Sequence, residues 1–175
     1  MPISTIGTDG LSTSPTLTTP KATTTIGVGN ATPAASGAGI TFPATQSASS
    51  DVNTLDDYEE GTWIPKCGDG TTNISSVNKA VYTKVGKLVT IELDCTVNNP
   101  NPGTTNYITN LPFPGSNGSA GNGGTCVGYN DGSVVLGVHV TAATTTLYFL
   151  APATNTSPNI SGLRVIFSIS YTTSS

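Results

Sequence analysis

Charge is what this sequence has least of. Of its 175 residues only 9% are charged, and the net charge is −4 with a pI near 4.6. Its six Lys and Arg residues are scattered, whereas phosphate binding needs them clustered, which argues against a nucleic-acid partner. No apolar run approaches the roughly 20 residues needed to cross a bilayer, so no membrane span is expected. The first residues, MPISTIGTDG, lack the basic start and apolar centre of a signal peptide. Without secretion, triplets such as Asn73-Ile-Ser and Asn155-Thr-Ser reflect a composition rich in Asn, Ser and Thr, not glycan sites. The three cysteines, Cys67, Cys95 and Cys126, form no C-x-x-C pattern, so neither zinc nor a redox motif is indicated. All of this suits a chain made in a reducing cytosol. Helix formers are also scarce, and apolar residues reach only 35% against the usual share of roughly 45–50%. Thr, Ser, Gly, Asn and Pro fill the gap, which predicts an all-β protein with many turns.

The scarcity is uneven. Residues 1–50 hold two charged residues, Asp9 and Lys21, and prolines recur through SPTLTTPKATTT and GNATPAASGAGITFPATQSASS. Proline cannot donate to a sheet ladder and glycine weakens strands, so this stretch cannot build its own core. It reads either as a disordered leader or as an extended attachment arm ordered on another surface. Isolated apolar anchors, among them Ile26, Ile40 and Phe42, favour the arm.

Residues beyond 61 alternate with period two. Such segments cover 80–86, 88–96, 107–113, 125–129, 134–140, 145–151 and 163–171. In LVTIELDCT, Val89, Ile91, Leu93 and Cys95 share one face, and Thr90, Glu92, Asp94 and Thr96 share the other, the pattern of a half-buried strand. Cys95 then acts as a small core hydrophobe. Turn-rich breaks at 98–103, 114–124 and 130–132 separate the segments. About seven strands at this spacing predict a β-sandwich or jelly-roll-like domain. The expected organisation is an arm over 1–50, an acidic junction over 51–62, and a β-sandwich domain over 63–175.

The junction spends the missing charge. TLDDYEEGTW places Asp56, Asp57, Glu59 and Glu60 around Tyr58, followed by Trp63, the sole tryptophan. A glycosidase needs two carboxyls on opposite sides of a sugar, usually on rigid strands, and neighbours in sequence do not supply that. A calcium site wants several oxygens, yet the D-x-[DN]-x-[DN]-G loop pattern is missing. The residue types fit better a helical turn capped at Thr54, with acids in its first turn, ended by Gly61 and seated by Trp63. An exposed inter-subunit salt bridge to Lys79, Lys84, Lys87 or Arg164 is expected with it. The sole histidine, His139, lies opposite Val138 and Val140 on its strand and has no nucleophile motif near it. A partly buried, hydrogen-bonded place, or one lining an oligomer axis, fits it. No catalytic, cofactor-binding or metal-binding residue is assigned, and no cofactor is expected.

Three stretches carry a resemblance: GITFPATQ and NTLDDYEEGTW within 39–65, Tyr82-Thr-Lys84-Val-Gly86-Lys-Leu88-Val89, and Ile108-Thr-Asn-Leu111-Pro112-Phe113. Over roughly residues 39–113 the chain resembles small virion proteins of tailed bacteriophages, of the tail-fibre-like and capsid-decoration type, notably those of cyanophages. Ile64 stands where that family usually has Thr. The resemblance implies a non-enzymatic structural protein of the virion, made in the host cytoplasm. It implies a homotrimer whose arm grips the major capsid protein or a tail component. Two roles follow: a capsid decoration or cement protein, or a short tail fibre whose head touches host surface glycans through residues such as Tyr107, Tyr129 and Tyr148. With no heptads and no repeated shaft, the sequence favours decoration.

Overall fold

The computed structural model describes residues 25–46, 49–51, 53–98, 106–117, 122–129, 133–151 and 158–174, with backbone alone for 122–129 and 133–134. The chain divides into two compact units, residues 1–45 and 46–175. The first 24 residues of the expected arm lie outside the described residues.

In the first unit, β1 (Thr25–Gly27) pairs in parallel with β2 (Gly39–Thr41), placing Ile26 opposite Ile40. Between the strands, Gly29 and Gly37 adopt positive φ, 58° and 77°, and supply turns that residues with a Cβ rarely make. Thr41 and Thr25 hydroxyls are joined at 2.8 Å. Ile26 and Ile40 remain exposed, and Phe42 is half-buried.

The described residues of the second unit form nine strands: β3 (Tyr58–Thr62), β4 (Lys66–Cys67), β5 (Ser76–Val85), β6 (Leu88–Thr96), β7 (Tyr107–Thr109), β8 (Asn122–Tyr129), β9 (Ser133–Val140), β10 (Leu147–Leu150) and β11 (Arg164–Thr172). The all-β class expected from the sequence is observed. All nine strands belong to one sheet in the order β3-β5-β6-β11-β8-β9-β10-β7-β4. Every pairing in it is antiparallel. Each of the seven alternating segments read from the sequence overlaps a strand, although β5 and β8 begin three or more residues earlier than their segments.

The two edge strands are β3 and β4, neighbours in sequence joined by Trp63-Ile64-Pro65. Nine strands laid flat would put the edges about 38 Å apart at the usual inter-strand spacing. Four Cα–Cα links from Thr62 to Lys66 reach at most about 15 Å. The sheet therefore curls round until its edges nearly meet. Its concave face carries the core: Val89, Ile91, Leu93 and Cys95 from β6, and Val165, Phe167, Ile169 and Tyr171 from β11. Leu136, Val138 and Val140 from β9, Leu147 and Phe149 from β10, and Ile108 from β7 complete it. The register places Ile91 opposite Ile169, and Leu93 opposite Phe167, so apolar side chains meet their like across the ladder. Cys67 and Cys95 are buried and form no disulfide with each other, and burial pushes the Cys67 thiol up from its ordinary pKa.

The junction departs from its expected form. No helical turn forms among the described residues of 51–62. Tyr58–Thr62 is instead the edge strand β3, so the head begins inside the segment read as a linker. The reason is the register. Pairing with β5 sets Glu59 opposite Lys84 and Gly61 opposite Tyr82, and these partners favour extended backbone over the capping that Thr54 and Asp57 suggest locally.

The arm-to-head junction as the candidate functional site

Within the second unit, the NTLDDYEEGTW stretch, Tyr82–Val89 and Ile108–Phe113 meet in one place. Strand β5 runs beside β6 with Ala80, Tyr82 and Lys84 opposite Leu93, Ile91 and Val89. Lys84 therefore stands on the core face, although it is a lysine. Its ammonium pairs with the Asp57 carboxylate, and the two side chains are only 4% and 9% exposed. The Phe113 ring lies 5.3 Å from Lys84 Nζ, a cation–π contact. The Asp57 carbonyl accepts a 2.9 Å bond from the Gly86 amide, and Gly86 holds φ at +55° in the turn joining β5 to β6. Burial pushes the Lys84 ammonium below its ordinary pKa, with the Asp56 charge acting the other way.

The remaining acids have structural partners too. Tyr82 donates its hydroxyl to Glu59, which pushes the phenol up to about 12. Tyr58 donates to Glu60 at 2.8 Å, and this bond raises its pKa. Asp56 accepts the Ser49 amide at 2.7 Å. Tyr82 meets Phe113 edge to face, with centroids 5.5 Å apart, and Tyr171 donates to the Phe113 carbonyl at 2.8 Å. Trp63 is buried, its amide donates to the Ala80 carbonyl, and its indole N–H has no hydrogen-bond partner. Asn110, at φ 67°, donates from its side chain to the Ile64 carbonyl at 2.8 Å. A shallow cleft lined by Trp63, Tyr82, Asn110 and Pro112 opens beside them.

The expected salt bridge thus exists in another form. Lys84 is the partner, but within one chain and buried, where an exposed contact between subunits was expected. Of the other candidates, Lys79 pairs with Glu92, and Arg164 grips Asp94 with two bonds of 2.8 and 2.7 Å. The Arg164 bonds hold the Asp94 carboxyl below its usual range.

On β7, β10 and β9 a second feature appears. Tyr107, Tyr148 and His139 occupy one register row, and Gly123 of β8 continues it. Tyr148 lies between the other two rings, 4.9 Å from Tyr107 and 5.4 Å from His139. Both faces of Tyr148 are therefore engaged within the protein. His139 is half-buried opposite the buried Val138 and Val140, as its strand position predicts, but its buried Nδ1 has no hydrogen-bond partner among the described residues, where a hydrogen-bonded ring was expected. The Tyr129 side chain lies outside the described residues.

Among the described residues, no group of three or more His, Cys, Asp or Glu side chains is placed to hold a metal ion, and no helix is long and apolar enough to cross a membrane. Chemically, the junction can fix the direction in which the chain enters the head. No family model matches the chain, and no curated protein or solved structure matches it significantly.

Proposed function

We propose that this chain is a non-enzymatic structural protein of a tailed-bacteriophage virion, a trimeric decoration protein whose N-terminal arm clamps the capsid shell. One observation carries the reading. The arm forms its own small parallel pair that turns Ile26 and Ile40 outward together, 55% and 59% exposed, while the head buries its apolar rows internally. Side-by-side exposed isoleucines suit an element completed on another protein's surface.

Trimer formation draws support from the head. Tyr58, Val85 and Leu88 occupy consecutive positions across β3, β5 and β6 and are 40%, 43% and 50% exposed. The acids at 56–60 support a structural role, since each is engaged in holding the junction. The glycan-contact alternative draws less support, because Tyr148 spends both faces on its neighbours and sugars stack on free ring faces.

Copy number in purified particles tests the reading. Abundance that scales with shell subunits supports decoration, whereas abundance matching the tail overturns it in favour of a fibre. Adding the chain with residues 1–45 removed to undecorated shells should give no binding, while the full chain binds.

A further inference from the structure

We propose that the folded head joins Lys84 to Asp57 by an intramolecular isopeptide bond. The geometry has the elements such a bond needs. The amine end of Lys84 touches the carboxyl of Asp57, and both side chains are withdrawn from water, 4% and 9% exposed. The two residues are held independently of that contact. Lys84 is fixed by the β5–β6 ladder opposite Val89. Asp57 is fixed by the Gly86 amide on its carbonyl and by β3, which starts at the next residue. The Phe113 ring, 5.3 Å from Nζ, walls one side. Confinement of two reacting groups in contact removes most of the entropy cost of joining them.

The chemistry closes without any further reactant. A proton passes from the ammonium to the carboxylate, leaving a neutral amine and a carboxylic acid. Low-dielectric surroundings favour this neutral pair over two buried charges, and the lowered pKa of Lys84 lies in the same direction. The amine lone pair then attacks Asp57 Cγ, forming the N–C bond. The Cγ–OH bond breaks, and the hydroxyl leaves with one amine hydrogen as water. No electrons are exchanged with an oxidant or reductant, and the chain becomes lighter by one water.

The location gives the bond a purpose. Asp57 immediately precedes the first strand of the head. Tension on the preceding chain reaches β3 first, an edge strand paired on one side. A covalent tie from Asp57 to β5 passes that load into the sheet interior before β3 can peel away. This holds whatever surface the preceding chain grips, so it stands apart from the virion reading.

Mass spectrometry of the purified full chain under denaturing conditions tests the proposal. The expected result is a chain one water lighter than its sequence, with a branched proteolytic peptide linking Asp57 to Lys84. Lys84→Arg and Asp57→Ala should each show the full mass of their own sequences, a readout that does not require either variant to fold. Wild-type chain that is folded by circular dichroism yet has full mass overturns the bond and leaves an ordinary ion pair. Loss of water without the branched peptide overturns it as well.

Discussion

Gly61 lies directly across from Tyr82 in the β3–β5 pair, and the tyrosine ring covers the place a side chain would take. A Cβ on Gly61 would stand 3.0 Å from the Tyr82 hydroxyl oxygen and 3.1 Å from two carbons of its ring. An aromatic laid over a strand glycine compensates for the packing that the glycine itself lacks. The ring is not free to swing away, because Glu59 accepts its hydroxyl and Phe113 meets it edge-on. Gly61→Val should therefore destabilise the head by about 1–3 kcal/mol through overpacking. In a Tyr82→Ala background the same change should cost less, since the two sites share the strain. Equal costs in both backgrounds, measured by urea denaturation, would remove the ring from the argument.

Asp57→Ala should be among the most damaging single changes in the junction. It leaves Lys84 buried without its partner, a loss of about 3–5 kcal/mol for a broken buried pair. An exposed pair would lose only about 0–1 kcal/mol, which is what the sequence alone led us to expect. Replacing both residues with apolar ones, Asp57→Leu with Lys84→Met, should be milder than the single change. Thermal melts of the single and double variants decide the point.

Trp63 should act through its volume and not through its N–H. The indole is buried but its nitrogen has no partner, so Trp63→Phe keeps most of the packing and sacrifices no hydrogen bond. Trp63→Ala should cost about 3–5 kcal/mol, and Trp63→Phe distinctly less. A phenylalanine variant as unstable as the alanine variant would count against this account.

Acid sensitivity should be traceable in part to Asp69. Its carboxylate accepts from the Thr72 hydroxyl and from the Thr71 and Thr72 amides, which lower its pKa from 3.8 to about 2. A folded-state value below the unfolded one means stability that is present above pH 3.8 and lost as pH falls towards 2. Asp69→Asn should flatten the stability profile over that window and leave it unchanged near neutrality. Denaturation midpoints collected between pH 5 and pH 2 would show whether the slope changes.

Limited proteolysis should release the arm and stop before Asp57. The first unit ends at Thr45, whereas Asp57 is pinned in the core by Lys84 and Gly86. Amino-terminal sequencing of the protected fragment should place its start between these two residues. A fragment beginning beyond Thr62 would mean that β3 is not held to β5 in solution.

The strands of the head were legible where one face is apolar and the other is not. In β6 the positions 89, 91, 93 and 95 are at most 1% exposed, and their alternation with Thr, Glu and Asp announces it. Strand β3 was not legible for the opposite reason. Its chain reads Asp57, Glu59, Gly61, Trp63 at alternate positions, with no apolar run. Only the partner strand, offering Lys84, Tyr82 and Ala80, makes these residues a matched set. A local signal at Thr54 pointed to a helix, and non-local pairing overrode it. The short β1, β2 and β4, of three, three and two residues, are too brief for any period to register. The half-burial of His139 was legible because its flanking valines fix the alternation, but its stacking on Tyr148 depends on a strand eight residues away and could not be read locally.

The position of β11 has a consequence for how the chain is made. Of the strands in this sheet, the last to be synthesised lies in its middle, between β6 and β8, and it supplies Val165, Phe167, Ile169 and Tyr171 to the core. While a ribosome is still adding residues before 164, β6 and β8 each lack a neighbour and the apolar row of β6 has nothing to meet. Early hairpins such as β5–β6 can form, but the ring cannot close around a core until Thr172 has emerged. Folding therefore waits for the end of this stretch, and with partners so distant along the chain it belongs to the slow, millisecond-to-second class. Exposed strand edges in the interval invite pairing between nascent copies, so expression in the cell should respond sharply to temperature and to chaperone supply.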